Sequence, residues 1–567
     1  MPLTRSQIVI LALAELLILT IVYSYLGSFL PHNSDNATLP LEAHAVLRGN
    51  ILLHSWNLPS DNFWSLDLPY YTIFSFFMPL DPQLMVLVPA FLYACLVTTA
   101  TLFMILSPSP SQTPFFPDRL LATFFVTVVL GAIMPPLQSF IGGLVLTGPN
   151  HICTYWYLLL LLWLRGYKGE NQKLSLMQNP FRSVIRVPAI FSTILWTLLL
   201  IGDPMILSIG VIPFLFVEFA LAWKKEQPWN RFLITFFSIL TAFFVAKIFY
   251  VIRIFAGFHL AWKINTDFID FESIPSHLLN VFNGLLNSYG ANIFGHSLVV
   301  ADTWVRLVRF IFLLSILFLA FDSMKRLIKS HERIEGMDII VYLTSSIILI
   351  DLMAVLLSQN SNVSGIIGIN RFLVPFYIFG TILLGVKGWS LLEMGVLDRI
   401  GRSIFLVSVT LMIVGAVSEF FAGWGLELRN LNKKPDAKIS ISGVFENPFE
   451  ADQRWMGDWL VKKGLKNGYA QYWNAQIVSV ITKGCVTVAP IKLSDGNYIP
   501  NPIFISSKTY SRISHKAPLF VITGSSGIDG VDQRKIVSSF GNPDKVKAIG
   551  RYKILVWEKG IKHHHKV

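Results

Sequence analysis

Charged residues are scarce in this sequence: they make up 14% of its 567 residues, whereas hydrophobic residues make up 53%. A chain with so little polar surface cannot cover its apolar content in water, which excludes a soluble globular protein. The composition predicts an α-helical polytopic membrane protein whose first partner is the lipid bilayer. The net charge of +12 raises the alternative of a nucleic-acid partner, but basic residues on such a chain mark cytoplasmic loops, so we expect no nucleic acid.

Cysteine is scarcer still, with 3 residues in the whole chain. Cys95 and Cys153 fall within apolar segments, which argues against a disulfide framework or a cysteine metal cluster. The sequence also has no strong metal-ligand spacing, although His54 together with Asp61 or Asp67 could bind a divalent metal ion. The sequence therefore predicts no cofactor with certainty, and a divalent metal is the alternative.

Long apolar runs divide the chain into candidate membrane spans. Arg5 precedes the first run and no small-residue cleavage site follows it, which predicts a retained span rather than a signal peptide. A spanning helix needs roughly 20 apolar residues, and this length gives about eleven spans. They are residues 7–29, 83–106, 119–134, 151–165, 187–201, 205–223, 232–253, 304–321, 337–357, 372–389 and 403–424.

Basic residues collect in alternate loops and so predict the orientation of the chain. Arg182, Lys224 and Arg333 are examples from the basic loops after the fourth, sixth and eighth spans, which we predict to be cytoplasmic. The intervening loops hold few cations, such as Lys263 in the loop 256–303. An odd number of spans then places the first outer loop (30–71), the loop 256–303 and the tail on the extracytoplasmic side.

The composition turns polar near residue 427, which predicts a transmembrane domain at 1–426 and a soluble α/β domain at 427–567. Helices are predicted at 450–463 and 532–540, strands at 486–491 and 519–523, and a closing hairpin at 545–557. The aromatic stretch 468–473 in this tail is either a loop that stacks on a sugar or part of the domain core.

The first outer loop gathers carboxylates, imidazoles and indoles between two apolar spans. Asp35 follows the first span by a few residues, so its carboxylate is a candidate general base if it is partly desolvated; the alternative is a solvated residue or a helix cap. Residues 42–50 are predicted to form an amphipathic helix lying along the membrane interface.

Aromatic rings alternate with carboxylates further along the same loop, between His54 and Asp67. Such a stretch suits a sugar, whose ring packs on indole while its hydroxyls form hydrogen bonds. The alternative is an aromatic belt at the headgroup level. The candidate catalytic residues are Asp35 and Asp67, and the candidate substrate-binding residues of the loop are Glu42, His54, Trp56 and Asp61.

Three cations lie near the outer ends of spans, where the phosphate of a lipid would be found. Lys247, Arg253 and Arg371 are predicted to grip such a phosphate, and the alternative for each is to extend towards lipid headgroups. Asp203 lies in Gly202-Asp203-Pro204, where proline must break a helix, and is a further candidate substrate-binding residue or a cap.

These features together resemble the GT-C superfamily of membrane glycosyltransferases, such as the protein O-mannosyltransferases, the aminoarabinose transferases and a group of bacterial membrane proteins. The resemblance is carried by Ser34-Asp35-Asn36-Ala37, the long first loop, the broken helix at Asp203, the segment 370–375 and the α/β tail with its segment 464–475. Asn36 stands where mannosyltransferases commonly have a glutamate after the aspartate.

The resemblance implies a polyprenyl-phosphate sugar as donor, a lipid, glycan or protein as acceptor, and inverting transfer on the outer face of a bacterial plasma membrane. It also implies that Asp35 is the base. A transporter or flippase for lipid-linked sugars is the alternative, but transporters place polar sites at mid-membrane on repeated, broken helices. Here the polar residues collect at outer span ends.

Overall fold

The computed structural model describes residues 4–59, 61–106, 116–175, 186–260, 267–329, 336–359, 361, 365–393, 399–432, 448–494, 497–513, 518–524 and 533–560. The loop residues Arg182, Lys263 and Arg333 lie outside the described residues, as do residues 433–447 of the predicted tail, whose predicted start at 427 falls within a described helix.

Six helices are long and apolar enough to cross a membrane, so the chain is a helical multi-pass membrane protein. They are Arg5–Gly27, Leu84–Leu106, Trp229–Phe255, Ala301–Lys329, Asp338–Leu357 and Leu406–Leu426. Large apolar side chains are exposed along the first of them, including Leu13 and Leu17, as expected where lipid rather than water is the solvent.

Helices make up almost all of the described structure up to residue 432. They are α1 (Arg5–Gly27), α2 (Ser34–Leu47), α3 (Asp67–Phe77), α4 (Leu84–Leu106), α5 (Phe116–Gly131), α6 (Pro136–Ser139), α7 (Ile141–Leu146), α8 (Ile152–Ser175), α9 (Arg186–Gly202), α10 (Ile212–Trp223), α11 (Trp229–Phe255), α12 (Ile274–Ser288), α13 (Ala301–Lys329), α14 (Gly336–Leu357), α15 (Gly365–Phe372), α16 (Val374–Glu393) and α17 (Arg399–Asn432). A π-helix (Leu207–Val211), a 3-10 turn (Phe271–Ser273) and two short strands, β1 (Trp56–Leu58) and β2 (His259–Leu260), complete this part.

Every predicted span overlaps one of these helices. Five of the overlapping helices have only shorter apolar stretches: Leu120–Gly131, Ile152–Arg165, Ala189–Gly202, Leu207–Trp223 and Val374–Lys387. The eleven crossings therefore stay a prediction. The predicted break at Pro204 is confirmed, because α9 ends at Gly202 and the next helical turn begins at Leu207.

The tail is an α/β unit built on one six-stranded sheet. Its elements are α18 (Pro448–Lys462), β3 (Asn467–Gln471), α19 (Tyr472–Ile481), β4 (Thr487–Ser494), β5 (Asn497–Pro500), β6 (Ile505–Ser506), α20 (Lys508–Arg512), β7 (Leu519–Gly524), α21 (Gln533–Phe540), β8 (Lys545–Ile549) and β9 (Tyr552–Trp557). The strand order is β5-β4-β3-β7-β9-β8, with β3 parallel to both β4 and β7. Both predicted helices, both strands and the hairpin are confirmed.

The tail docks on the first outer loop rather than hanging free. Strand β6 pairs with β1 of that loop, and β1 pairs in turn with β2. Ala37 of α2 and Leu80 share a buried apolar cluster with Val478 of α19. The surface of the first loop is therefore shaped by residues more than four hundred positions away.

The predicted interfacial helix at 42–50 is wrong. Helix α2 begins at Ser34, where Asn33 and Asn36 form a reciprocal capping box, and it ends at Leu47. Contacts with α3 on one side and α19 on the other bury it, and Glu42 is only 1% exposed. The short hydrophobic periodicity of 42–50 reflects packing beneath the tail instead of contact with a membrane surface.

Candidate functional site

A polar cluster forms where the tail meets the ends of several helices. Its members come from the start of α2, the loop before α3, the residue before α8, the turn after α9, the end of α15 and the start of α19. They are Asp35, Asp61, His151, Asp203, Arg371 and Tyr472.

Asp35 lies half-buried in the first turn of α2, facing the tail. The hydroxyl of Tyr472 donates a hydrogen bond to its Oδ1. Burial raises the pKa of Asp35 above its ordinary value, while the Tyr472 hydrogen bond and the charge of Arg371 act in the opposite direction. A carboxylate with a raised pKa, still stabilised as an anion by two neighbours, suits proton abstraction near neutral pH.

Asp203 anchors the other end of the cluster. Its carboxylate accepts hydrogen bonds from His151 Nδ1 (2.6 Å), Thr154 Oγ1 (2.6 Å) and the backbone amide of Met205 (2.9 Å). Burial alone would raise the pKa of Asp203, but its interaction with His151 and these hydrogen bonds lower it. Asp203 is thus an ionised residue that fixes His151, and it also caps the turn after Gly202.

His151 links Asp203 to Arg371. The Nη2 atom of Arg371 lies 3.3 Å from His151 Nε2. Because a guanidinium has only donors, Nε2 accepts, and the ring proton is carried by Nδ1 and donated to Asp203. The chain Asp203–His151–Arg371 therefore holds in place a cation whose charge acts on Asp35.

Asp61 and Asn62 place the two predicted arginines on either side of one backbone segment. Asp61 Oδ2 lies 4.0 Å from Arg371 Nη2, and Asn62 Oδ1 accepts a 2.9 Å hydrogen bond from Arg253 Nη1. Burial raises the pKa of Asp61, whereas His151 and Arg371 lower it. Within the described part of the chain, Asp61 Oδ1 and Arg371 Nε are buried without a hydrogen-bond partner, which marks a place for a polar ligand.

The three predicted phosphate-binding cations do not converge. Arg253 is 1% exposed and lies 3.9 Å from the Phe258 ring centre, and it interacts electrostatically with the buried Glu42. Lys247 is exposed on α11, 5.5 Å from the ring centre of Tyr250. Six residues of helix rotate a side chain by roughly 120° from its starting direction, so Lys247 and Arg253 face different surroundings. Only Arg371 reaches the cluster around Asp35.

Asp67 lies in a buried layer beside Asp203 rather than at an open surface. It begins α3 and is 3% exposed. Burial raises its pKa to about 8, and the negative charge of Asp203 adds to the effect. The carboxyl group is therefore protonated at neutral pH, and the structure gives the prediction of a second catalytic carboxylate no geometric support.

His54 and Trp56 do not form an open sugar-binding wall. The exposed His54 holds its Nδ1 2.6 Å from the carbonyl oxygen of Ala256, and Trp56 is only 6% exposed within β1. No group of three or more His, Cys, Asp or Glu side chains in the described ranges is arranged to hold a metal ion.

Sequence reasoning did not select His151 and Tyr472 as members of this cluster. His151 stands at the start of an apolar run, and its only signal in the sequence is a polar residue at the end of a predicted span.

Tyr472 belongs to the stretch 468–473, for which a sugar-stacking loop was one of two predictions. That prediction is wrong, since β3 ends at Gln471 and α19 begins at Tyr472. Tyr469 is buried against Phe540, with 6.0 Å between ring centres, so the core alternative is correct for that residue.

Substitutions at Asp67 and Asp203 test whether Asp67 is a buried neutral acid and Asp203 a buried anion. In Asp67→Asn an amide replaces a carboxyl that must keep its proton in the folded state although the unfolded state has lost it, so near neutral pH the free energy of unfolding should rise rather than fall. Asp203→Asn leaves donors from His151, Thr154 and Met205 poorly matched and should lower the free energy of unfolding by about 1–3 kcal/mol. Thermal unfolding of the detergent-purified variants measures both, and equal losses would contradict the assignment.

Asp67 also predicts a pH dependence of folding stability. Burial raises the pKa of the folded Asp67 carboxyl to about 8, whereas in the unfolded chain its pKa has the ordinary value of 3.8. The folded state therefore binds more protons between these values, and stability falls as the pH rises through that window. The slope should be smaller in Asp67→Asn.

Neither a protein-family model nor a curated protein matches this sequence. What the site does is therefore inferred from its own residues.

Proposed function

We propose that the protein is a membrane glycosyltransferase of the GT-C type, which transfers a sugar from a polyprenyl-phosphate donor to an acceptor hydroxyl with inversion. The observation that carries this proposal is the position of Asp35. It is a half-buried carboxylate at an outer helix end, held by Tyr472 of the tail and close to the cation Arg371.

The chemistry needs one base and one stabilised leaving group. Asp35 takes the proton of the acceptor hydroxyl as its oxygen attacks the anomeric carbon. The bond from that carbon to the phosphate oxygen breaks, and its electron pair stays on the polyprenyl phosphate. Attack from the face opposite the leaving group inverts the configuration.

Arg371 is placed to stabilise the negative charge that develops on the leaving phosphate. Its side chain is 36% exposed, Nη2 lies against His151, and the buried Nε has no hydrogen-bond partner in the described part of the chain. A guanidinium offers phosphate a two-pronged contact that a lysine cannot reproduce. Asp203 and His151 are positioning residues, because they act through Arg371.

Topology supports the same assignment. Eleven crossings with basic loops on the cytoplasmic side would place α2, the tail and Asp35 together outside. A polyprenyl-phosphate sugar would then meet its acceptor where the first loop and the tail join.

Tyr472→Phe tests the environment of Asp35. Loss of the hydroxyl removes a hydrogen bond that favours the carboxylate, so the pKa of Asp35 rises further. The acidic limb of the transfer rate against pH should move to higher pH, with several-fold lower activity near neutrality and near-normal activity at alkaline pH. Rates are measured with purified protein in proteoliposomes loaded with polyprenyl-phosphate sugars.

The matched control for that experiment is Tyr510→Phe, which removes a hydroxyl bonded to the carbonyl of Pro490 within the tail. It should leave the pH profile where it is. An unchanged profile in Tyr472→Phe, or no transfer by the wild-type protein alongside measurable movement of the lipid-linked sugar across the bilayer, would argue against the proposed function.

A further inference from the structure

A cavity of about 480 Å³ lies between the first outer loop and the tail. Its walls come from the last two turns of α2, from β1 and from the loop after α3 on one side, and from α19, β4, β6 and α20 on the other. It exists only because the tail docks on the first loop.

Basic side chains dominate its charged lining. No aspartate or glutamate lines it within the described ranges. The charge of Lys483, which lines the cavity, is neutralised by an ion pair of 2.8 Å with Asp81, which does not line it. The remaining cations are Arg48, Lys508 and Arg512, all exposed, and no ion pair joins them to a carboxylate in the described part of the chain. Like charges collected on a concave surface create a positive potential that attracts an anion.

His44 also lines the cavity. Burial lowers its pKa, and the positive charge of Arg48 lowers it further. The lining also offers hydrogen-bonding groups on Asn50, Ser479 and Thr509, and the largely buried Trp56 forms part of one wall. Cations, hydroxyls and an amide together fit an acidic saccharide better than an apolar ligand.

Helix α19 connects this cavity with Asp35. Tyr472, which bonds Asp35, and Gln476, which lines the cavity, are one turn apart on the same face, or about 6 Å along the axis. Gln476 also accepts a hydrogen bond from Thr38 of α2 at 2.5 Å. A saccharide bound in the cavity would therefore lie about one helical turn from Tyr472, which holds the candidate base Asp35.

We propose that this cavity binds the acceptor, and that the acceptor is an anionic glycan carrying carboxylate or phosphate groups. The inference deepens the proposed function, since it names the acceptor class for the same site. A lipid headgroup shares the anionic chemistry, but the cavity is bounded by the sheet and helices of the tail and by α2 rather than by the exposed apolar faces of α1 or α11.

The test measures binding without catalysis. Full-length protein in nanodiscs of neutral phosphatidylcholine is titrated calorimetrically with tetragalacturonate, with neutral maltotetraose of the same length, and with inorganic phosphate. Tetragalacturonate should bind, maltotetraose should not, and phosphate should compete at high concentration. Arg48→Gln with Arg512→Gln should weaken binding by about ten-fold or more, because each charge-assisted hydrogen bond to an anion contributes substantially.

The matched control is Lys547→Gln with Lys553→Gln, which removes two exposed cations from the β8–β9 hairpin at the far edge of the sheet. It should bind as the wild type does. Asp35→Asn should also bind normally, so failure of catalysis and failure of the acceptor site give different results. Equal binding of both tetrasaccharides, or unchanged binding in the Arg48 and Arg512 variant, would overturn the proposal. The proposal would also be overturned if the protein did not bind tetragalacturonate but did bind anionic lipid when reconstituted in nanodiscs that contain it.

Discussion

Asp35→Asn is expected to lower glycosyl transfer by about 100-fold or more, because general-base catalysis commonly contributes that much and an amide cannot accept the proton. The substitution preserves the size of the side chain. It also preserves an oxygen acceptor for the hydroxyl of Tyr472, so the contact between α2 and α19 should survive. Binding of the donor should change little, and the loss should fall mainly on kcat.

Asp81→Asn is the matched control for this variant. Asp81 also joins the first-loop region to the tail, through its 2.8 Å ion pair with Lys483, but it lies outside the cluster around Asp35. An exposed pair contributes little to stability, so kcat and thermal unfolding should stay near wild type. Unchanged transfer in Asp35→Asn, or equal losses in both variants, would remove Asp35 from the role of base.

Arg371→Gln is expected to lower transfer by about 100- to 1000-fold, the range seen when a group that stabilises developing negative charge is removed. Both the affinity for the donor and kcat should fall, since the guanidinium would contact the phosphate before and during transfer. Arg371→Lys should recover only part of the loss. A lysine keeps the positive charge, but it lacks the planar guanidinium that can bond to His151 and to a phosphate at the same time.

Arg306→Gln provides the comparison for Arg371. Arg306 is a cation near the start of α13, paired with Asp302 one turn away on the same helix. Its removal tests the general effect of losing a partly exposed arginine from a helix end, and transfer should stay near wild type. Full recovery of activity in Arg371→Lys would show that a point charge suffices and that the alignment by His151 has no catalytic effect.

Apolar runs predicted the helices well, because burial in lipid requires a continuous stretch that the sequence displays directly. The break at Gly202 and the elements of the tail were equally accessible, since proline geometry and local alternation are short-range signals. Asp35 could be selected because it follows an apolar run by a few residues.

Contacts between distant segments could not be predicted in this way. Tyr472 is 437 residues from Asp35, and no local pattern encodes their hydrogen bond. The interfacial helix at 42–50 was wrong for the same reason: its polar residue Glu42 is covered by partners that come from elsewhere in the chain. Lys247 and Arg253 looked alike in sequence, but helical rotation separates them.

The most direct test of the account is a structure of the full-length protein in a lipid nanodisc with polyprenyl phosphate bound. The account predicts the phosphate within hydrogen-bonding distance of the Arg371 guanidinium, with its free oxygen directed towards the space beside Asp35. A phosphate bound at the exposed Lys247 instead, with Arg371 still engaged only by His151 and Asp61, would contradict it.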